Sequence, residues 1–227
     1  MTQLHISVVI PVLNEAAGID AALQALRPLQ TRGTQIVVVD GGSSDDTLSR
    51  VRAHAVQVLA APRGRALQMN AGAKQASGDV LLFLHADTCL PADADSLITQ
   101  ALASGAAVWG RFDVRIAGRS RWLRVIAALM NARSRWTGIA TGDQAMFMTR
   151  AAFEATGGFA CQPLMEDIEL SVRLRQLSRP ACLRAQVVTS GRRWETRGVW
   201  RTMGLMWWLR LAYWCGAAPQ RLAQRYR

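Results

Sequence analysis

The chain has 227 residues, half of them hydrophobic and 19% charged, which excludes a disordered polymer and allows one sizeable core. Its net charge of +11 is unevenly placed: residues 1–110 carry seven bases and nine acids, and residues 111–227 carry twenty bases and seven acids. A basic second half implies nucleic acid, a phosphate-bearing substrate or an anionic membrane as partner, or else a solvated arginine surface.

In chain order, short β-branched runs bounded by turn residues predict strands near His5–Pro11, Gln35–Asp40, Val56–Ala60 and Val80–Leu84. Between and after them, helices are expected near Ala17–Leu26, Asp45–Ala53, Gly64–Ala76 and Asp93–Ala103, with Ser44-Asp45-Asp46 supplying N-cap chemistry and first-turn acids. Alternation with short loops predicts a parallel sheet with helices on both faces. Pro11, Asn14 and Glu15 interrupt the first apolar run, which therefore reads as strand one and not as a signal peptide. In the second half, Val108–Ile116 and Ala145–Thr149 read as strands. Trp122–Ala132 reads as an amphipathic helix, and Glu166–Leu177 as a helix stopped by Ser178-Arg179-Pro180.

The cysteines, Cys89, Cys161, Cys182 and Cys215, form no Cys-x-x-Cys pair, which argues against a zinc ribbon or a dense disulfide framework and for a reduced, cytosolic setting. The first two strands each end in a turn bearing an acid, Asn14-Glu15 and Asp40-Gly41-Gly42-Ser43. Open α/β sheets bind ligands outside the carboxyl ends of their strands, so acids delivered to that edge suggest a nucleotide site. A carboxylate there can accept from a base N–H or a ribose hydroxyl.

These segments, followed by Gly64-Arg65-Ala66-Leu67-Gln68-Met69-Asn70-Ala71-Gly72, Ala76-Ser77-Gly78-Asp79, His85-Ala86-Asp87, Gly157-Gly158-Phe159 and Glu166-Asp167, resemble a family 2 glycosyltransferase with the GT-A fold. The resemblance covers most of residues 5–178 and is specific in combination. It implies an α/β fold with a doubly wound, mostly parallel sheet. Residues 1–195 would be the transferase domain, with a nucleotide-binding half at 1–90 and an acceptor-binding half at 105–195. It implies nucleotide contacts from Pro11, Asn14, Glu15, Asp40, Gly42, Ser43, Arg65, Asn70 and Asp87. Arg65, at the start of its helix, is read either as a phosphate or base contact or as a surface arginine. Gly41 stands where the family often has a second acid, so one nucleotide contact is missing or supplied by backbone.

The resemblance places His85-Ala86-Asp87 at the family's Asp-x-Asp metal motif. A divalent cation, manganese or magnesium, would neutralise the departing diphosphate there, held by Asp87. With histidine in place of the first acid, His85 is either a ligand, which tilts the site toward manganese, or structural. The resemblance further implies that Asp167, beside Glu166, is the general base that deprotonates the acceptor hydroxyl, with inversion at the anomeric carbon. The alternative is that both acids only cap their helix. Gly142, Asp143 and Gln144 are candidates for the sugar or acceptor pocket, as are Asp113 and the basic cluster Arg192, Arg193, Trp194 and Arg197.

Residues 196–227 are read as a basic, Trp-rich C-terminal amphipathic helix. Between Gly198 and Gly216, Trp200, Met203, Trp207, Leu211 and Trp214 follow helical spacing. Arg201 and Arg210 fall inside the segment, and each would cost about 2.5–3.5 kcal/mol near a bilayer centre, so a spanning helix is not expected. An interfacial helix against anionic lipid and a helix packed on the core both remain open. The expected donor is a nucleoside diphosphate sugar, UDP-sugar favoured over GDP-sugar. A lipid-linked acceptor and peripheral contact with the inner face of the cell membrane are expected as well. Two other classes compete. A nucleotidyltransferase would carry a basic glycine-rich loop where Asn14-Glu15 stands. A non-catalytic nucleic-acid-binding protein would place phosphate against the acidic strand ends, and no nucleic-acid motif is present.

Overall fold

The apolar runs Ile6–Val12, Gln35–Asp40 and Val80–Phe83 become neighbouring strands because they are buried on both faces, as parallel strands flanked by helices must be, while Gln57–Ala60 at the sheet edge is only partly buried. The structure is a computed structural model that describes residues 4–226. Its first half alternates β1 (Ile6–Val12), α1 (Ile19–Thr31), β2 (Gln35–Asp40), α2 (Thr47–Arg52), β3 (Gln57–Ala60), α3 (Arg65–Gln75) and β4 (Val80–Phe83). Then follow β5 (Thr88–Cys89), α4 (Ala94–Leu102), β6 (Trp109–Ala117), α5 (Trp122–Thr137), a 3₁₀ turn (Gly142–Gln144), β7 (Phe147–Thr149), α6 (Arg150–Ala155), α7 (Glu166–Leu177) and β8 (Ala181–Ser190). The chain continues through α8 (Arg192–Arg197), α9 (Val199–Trp214) and α10 (Pro219–Tyr226).

The sheet has eight strands in the order β3-β2-β1-β4-β7-β6-β8-β5. Strands β3, β2, β1 and β4 are mutually parallel, and β8 is parallel to β6. The strand β7 runs antiparallel to both β4 and β6, and β5 antiparallel to β8, so the doubly wound sheet is mostly but not wholly parallel. Alternate side chains of a strand serve opposite faces. Val8, Ile10 and Val12 of β1 accordingly join the α1 stripe of Ile19, Leu23, Leu26 and Leu29, whereas Val9 joins Met69 and Ala73 of α3 on the other side.

Several elements run differently from the sequence expectation. The first helix continues past Leu26, through Pro28, because Leu29 completes its buried stripe. The helix α5 continues to Thr137, where Gly138 at φ 67° stops it in the left-handed region. An unanticipated helix, α6, starts at an N-cap in which the Thr149 hydroxyl accepts from the Ala152 N–H. Its Arg150 guanidinium donates to the carbonyls of Ala73, Ala76 and Gly78, satisfying the C-terminal end of α3 and the turn after it.

The C-terminal segment is two helices and not one. Together α9 and α10 bury Leu209 and Leu222 against Leu164 and Met165, the two residues ahead of α7. Among the described residues no helix is long and apolar enough to cross a membrane. The four cysteines are free.

Candidate active site

The loops after β1 and β2 are tied to each other before any ligand is considered. The Asn14 N–H donates to Ser43 Oγ at 2.9 Å, and its Oδ1 accepts from the Ser44 N–H at 2.8 Å. The Glu15 N–H donates to Thr47 Oγ1 at 2.8 Å. The Asp40 carboxylate is buried and accepts from the N–H groups of Gly42 and Ser43 and from Ser43 Oγ, so it shapes the loop from inside. Gln68, fully engaged, donates to the carbonyls of Val12 and Val39 at 2.8 Å each and locks the ends of β1 and β2 together. A side chain at residue 41 would come within 2.9 Å of that carboxamide, which explains the glycine that stands where the family often has an acid. Pro11, at the last turn of β1, lies beyond the β4 pairing, which ends at Val9, so its missing N–H leaves no gap in that ladder.

Glu15 projects from this edge half-buried. Burial raises its pKa, and Arg192 opposes the rise from 3.8 Å. Asp87, at the tip beyond β4, is exposed. The Nδ1 of His85 lies 3.2 Å from Asp143 Oδ1, and a Cβ at Gly142 would overlap the Nε2–Cε1 edge of its ring. Burial works against the Asp143 charge, but the His85 hydrogen bond and the charges of Arg65 and Arg193 hold its pKa below the usual range.

The 3₁₀ turn that carries Gly142 and Asp143 reaches the acids of α7. Asp167 Oδ2 accepts from the Gly142 N–H and Oδ1 from the Ile168 N–H, each at 2.8 Å. Glu166 is 3% exposed, and its pKa is raised, first by burial and then by Asp167. Its cationic neighbour is Arg65, with Nη1 at 3.5 Å. Arg65, His85, Gly142, Glu166 and Asp167 line one pocket whose apolar walls are Met69, Phe83, Met146 and Phe159. The backbone is strained around it. The non-glycine residues with positive φ among the described ones are Asn14, Ala145 and Met165, each adjacent to a candidate site residue.

Five of the expected site residues have partners within the protein. The Asn70 amide donates to the Phe159 carbonyl and accepts from the Phe159 N–H. Asp113 pairs with the buried Arg111 and, at 2.5 Å, with Arg135. Gln144 is fully buried and closes a capping box with Thr141. Trp194 packs on the hydrophobic core beneath α8. Arg193 stacks over the Tyr226 ring at 4.1 Å, with its pKa lowered by burial and by Arg197 and Arg65. Gln68, Thr47 and Met165 were not singled out in sequence. Thr47 and Met165 stand beside acidic segments, whereas Gln68 lies mid-helix with no local signal.

The donors suit one particular kind of metal site. Among the described residues no three His, Cys, Asp or Glu side chains gather as a metal cage. Asp87 offers one exposed carboxylate, which fits an oxygen-preferring cation whose other ligands are water and ligand phosphate. In this structure the His85 nitrogens are occupied otherwise, Nδ1 beside Asp143 and Nε2 against Gly142.

Known proteins are similar to this chain in sequence and in fold. The family model described as Glycosyl transferase family 2 matches residues 7–160. The glucosyl-3-phosphoglycerate synthase of Mycobacterium tuberculosis is 35% identical over 98 residues, 38% of this chain and 30% of that protein. The undecaprenyl-phosphate 4-deoxy-4-formamido-L-arabinose transferase of Serratia proteamaculans is 32% identical over 152 residues, 61% of this chain and 46% of that protein. In fold, the chain matches S. aureus TarS 1-349 in complex with UDP, with a TM-score of 0.67 and 17% identity over 82% of this chain and 60% of that one. It also matches the mannosyltransferase PcManGT of Pyrobaculum calidifontis in complex with GDP-Man and Mn2+, with a TM-score of 0.62 and 21% identity over 82% of this chain and 57% of that one. The chain spans about a third to a half of the length of these curated relatives. With the family pattern running from β1 through the Gly157-Gly158-Phe159 turn on a GT-A sheet, the chain belongs to glycosyltransferase family 2.

Proposed function

We propose that the chain transfers a sugar from a nucleoside diphosphate donor, a UDP-sugar first and a GDP-sugar second, to an acceptor hydroxyl with inversion. The observation that carries this reading is the convergence of Arg65, His85, Glu166 and Asp167 on one pocket, although up to 102 residues separate them in sequence. Residues 1–90 hold the nucleotide between the Glu15 turn, the Asp40 loop and Arg65. Residues 105–195 shape the acceptor side through Gly142, Asp143 and α7.

Asp167 acts as general base. Two N–H donors fix its carboxylate, and its remaining lone pairs can take the acceptor proton. Glu166, held close to Arg65, orients that arginine toward the donor phosphates. Asp87 would hold a manganese or magnesium ion, which supplies charge neutralisation to the departing diphosphate. UDP and GDP-Man complexes of the fold relatives support the donor class, and Mn2+ in one of them supports the metal. The name of the undecaprenyl-phosphate relative supports a lipid-linked acceptor; peripheral contact with the inner face of the cell membrane would bring the enzyme to it.

The test is release of nucleoside diphosphate from UDP- and GDP-sugars in the presence of manganese, with the anomeric configuration of the product read by proton coupling. Metal-dependent release with inverted product is expected. Release of pyrophosphate from a nucleoside triphosphate, or a retained anomeric configuration, contradicts it.

A further inference from the structure

Two helices far apart in sequence leave the same pattern of large apolar side chains uncovered. On α5 these are Trp122, Val125, Leu129 and Trp136, and on α9 they are Trp200, Trp207, Leu211 and Trp214. Each set follows helical spacing along one stripe, 14 residues from first to last. Trp136 is 88% exposed, Trp207 69% and Trp214 86%. The two stripes meet where the Trp122 and Trp200 rings stand edge to face, 4.7 Å between centroids. Such an extent of contiguous aromatic surface marks an interaction site.

The charge around the stripes selects the partner. Helices α5, α9 and α10 carry no acid; of their arginines, Arg133 has buried guanidinium atoms and Arg135 pairs with Asp113, which leaves Arg124, Arg201, Arg210, Arg221 and Arg225 as the charge beside the stripes. A second copy of this chain would bring like charge against like charge. An anionic bilayer complements both features, since tryptophan rings sit at the headgroup level and arginines meet lipid phosphate. With no helix able to span, contact is in the plane of the interface.

We infer that α5 and α9 together form a docking face for an anionic lipid surface. This deepens the transferase reading, on which it rests for its consequence. The inner side of α9, with α10, packs on Leu164 and Met165, and Met165 is the left-handed residue that presents Glu166 and Asp167. The face that meets lipid is therefore joined to the turn that carries the acids, as an acceptor held in the membrane requires.

The test uses flotation with phosphatidylcholine vesicles, with and without about a third phosphatidylglycerol, on the whole chain. Binding about tenfold or more tighter to the anionic vesicles is expected, with a blue shift of tryptophan emission. Trp207→Ser with Trp214→Ser should weaken it about tenfold or more, and Arg201→Gln with Arg221→Gln should weaken it on anionic vesicles only. Equal binding to both vesicles, no binding, or no effect of either pair overturns the inference. So does a wild-type dimer in sedimentation that the tryptophan pair converts to monomer. UDP and GDP binding on the same samples separates the two readings. Vesicle binding lost with nucleotide binding kept removes the docking face alone, and nucleotide binding absent from the wild type removes the transferase reading.

Discussion

In β1 to β4 the apolar residues go inside and the acids go to the strand tips, whereas in α5 and α9 tryptophans remain outside among arginines. The first region holds its acids with backbone donors. Asp40 is wrapped by Gly42 and Ser43, and the neighbouring Asn14 turn is pinned by Ser43 and Ser44. The second half of the chain instead holds its acids with side chains, Asp113 with Arg111 and Arg135 and Glu166 with Arg65 of α3. Local capping makes the first region self-determined, while the second depends on the tertiary fold being in place. Asp167 stands between the two, held by a backbone donor that comes from another loop.

That contrast is sharpened most by Asp167→Asn. Its turnover should fall about 10²–10⁴-fold, because base catalysis is lost, while the melting midpoint and donor affinity change little. An unchanged turnover would mean that the α7 acids only cap their helix. A smaller effect is expected at the joint between the two regions. Asn70→Ala removes both hydrogen bonds to Phe159 and should cost about 2 kcal/mol in denaturant unfolding, with donor affinity in the folded protein unchanged. A selective loss of nucleotide affinity would return Asn70 to the nucleotide site.

The smallest effect is one of sign. Glu166 keeps its proton to higher pH when folded than when unfolded, so its ionisation lowers stability as pH rises from the ordinary glutamate value of 4.5 through the raised folded value. Glu166→Gln should therefore stabilise the protein above that window and not below it, by about 2–4 °C in melting midpoint for each kcal/mol recovered. A destabilisation at neutral pH would show instead that the Arg65 pair outweighs the burial of the carboxylate. Thermal scans at several pH values distinguish the two.

How much of this was legible in the sequence follows the same division. The strands of the first half and the acids at their tips could be read because β-branched runs and turn residues are local signals. The strand β7 could be read within 145–149, but its antiparallel direction, the long β8 and the short α6 could not, since they come from pairing partners and from an arginine that caps another helix. Asn70 resembled a nucleotide contact, but its partner lies 89 residues away. Asp113 and Gln144 resembled pocket residues for the same reason, as an isolated polar residue does not announce the buried partner that claims it. Amphipathic helices were read both at Trp122–Ala132 and in the Trp-rich end, but neither the break of that end into two helices nor the meeting of Trp122 with Trp200 was, because both arise only in the fold.

The account stands most directly on a nucleoside diphosphate held at the β1, β2 and β4 tips with a cation on Asp87. Calorimetric titration with UDP, GDP and ADP, each with and without manganese, measures it. Manganese-dependent binding of UDP or GDP that is lost in Asp87→Asn is the predicted result. Folded protein that binds none of the three, or that binds one equally well without metal and in Asp87→Asn, contradicts it.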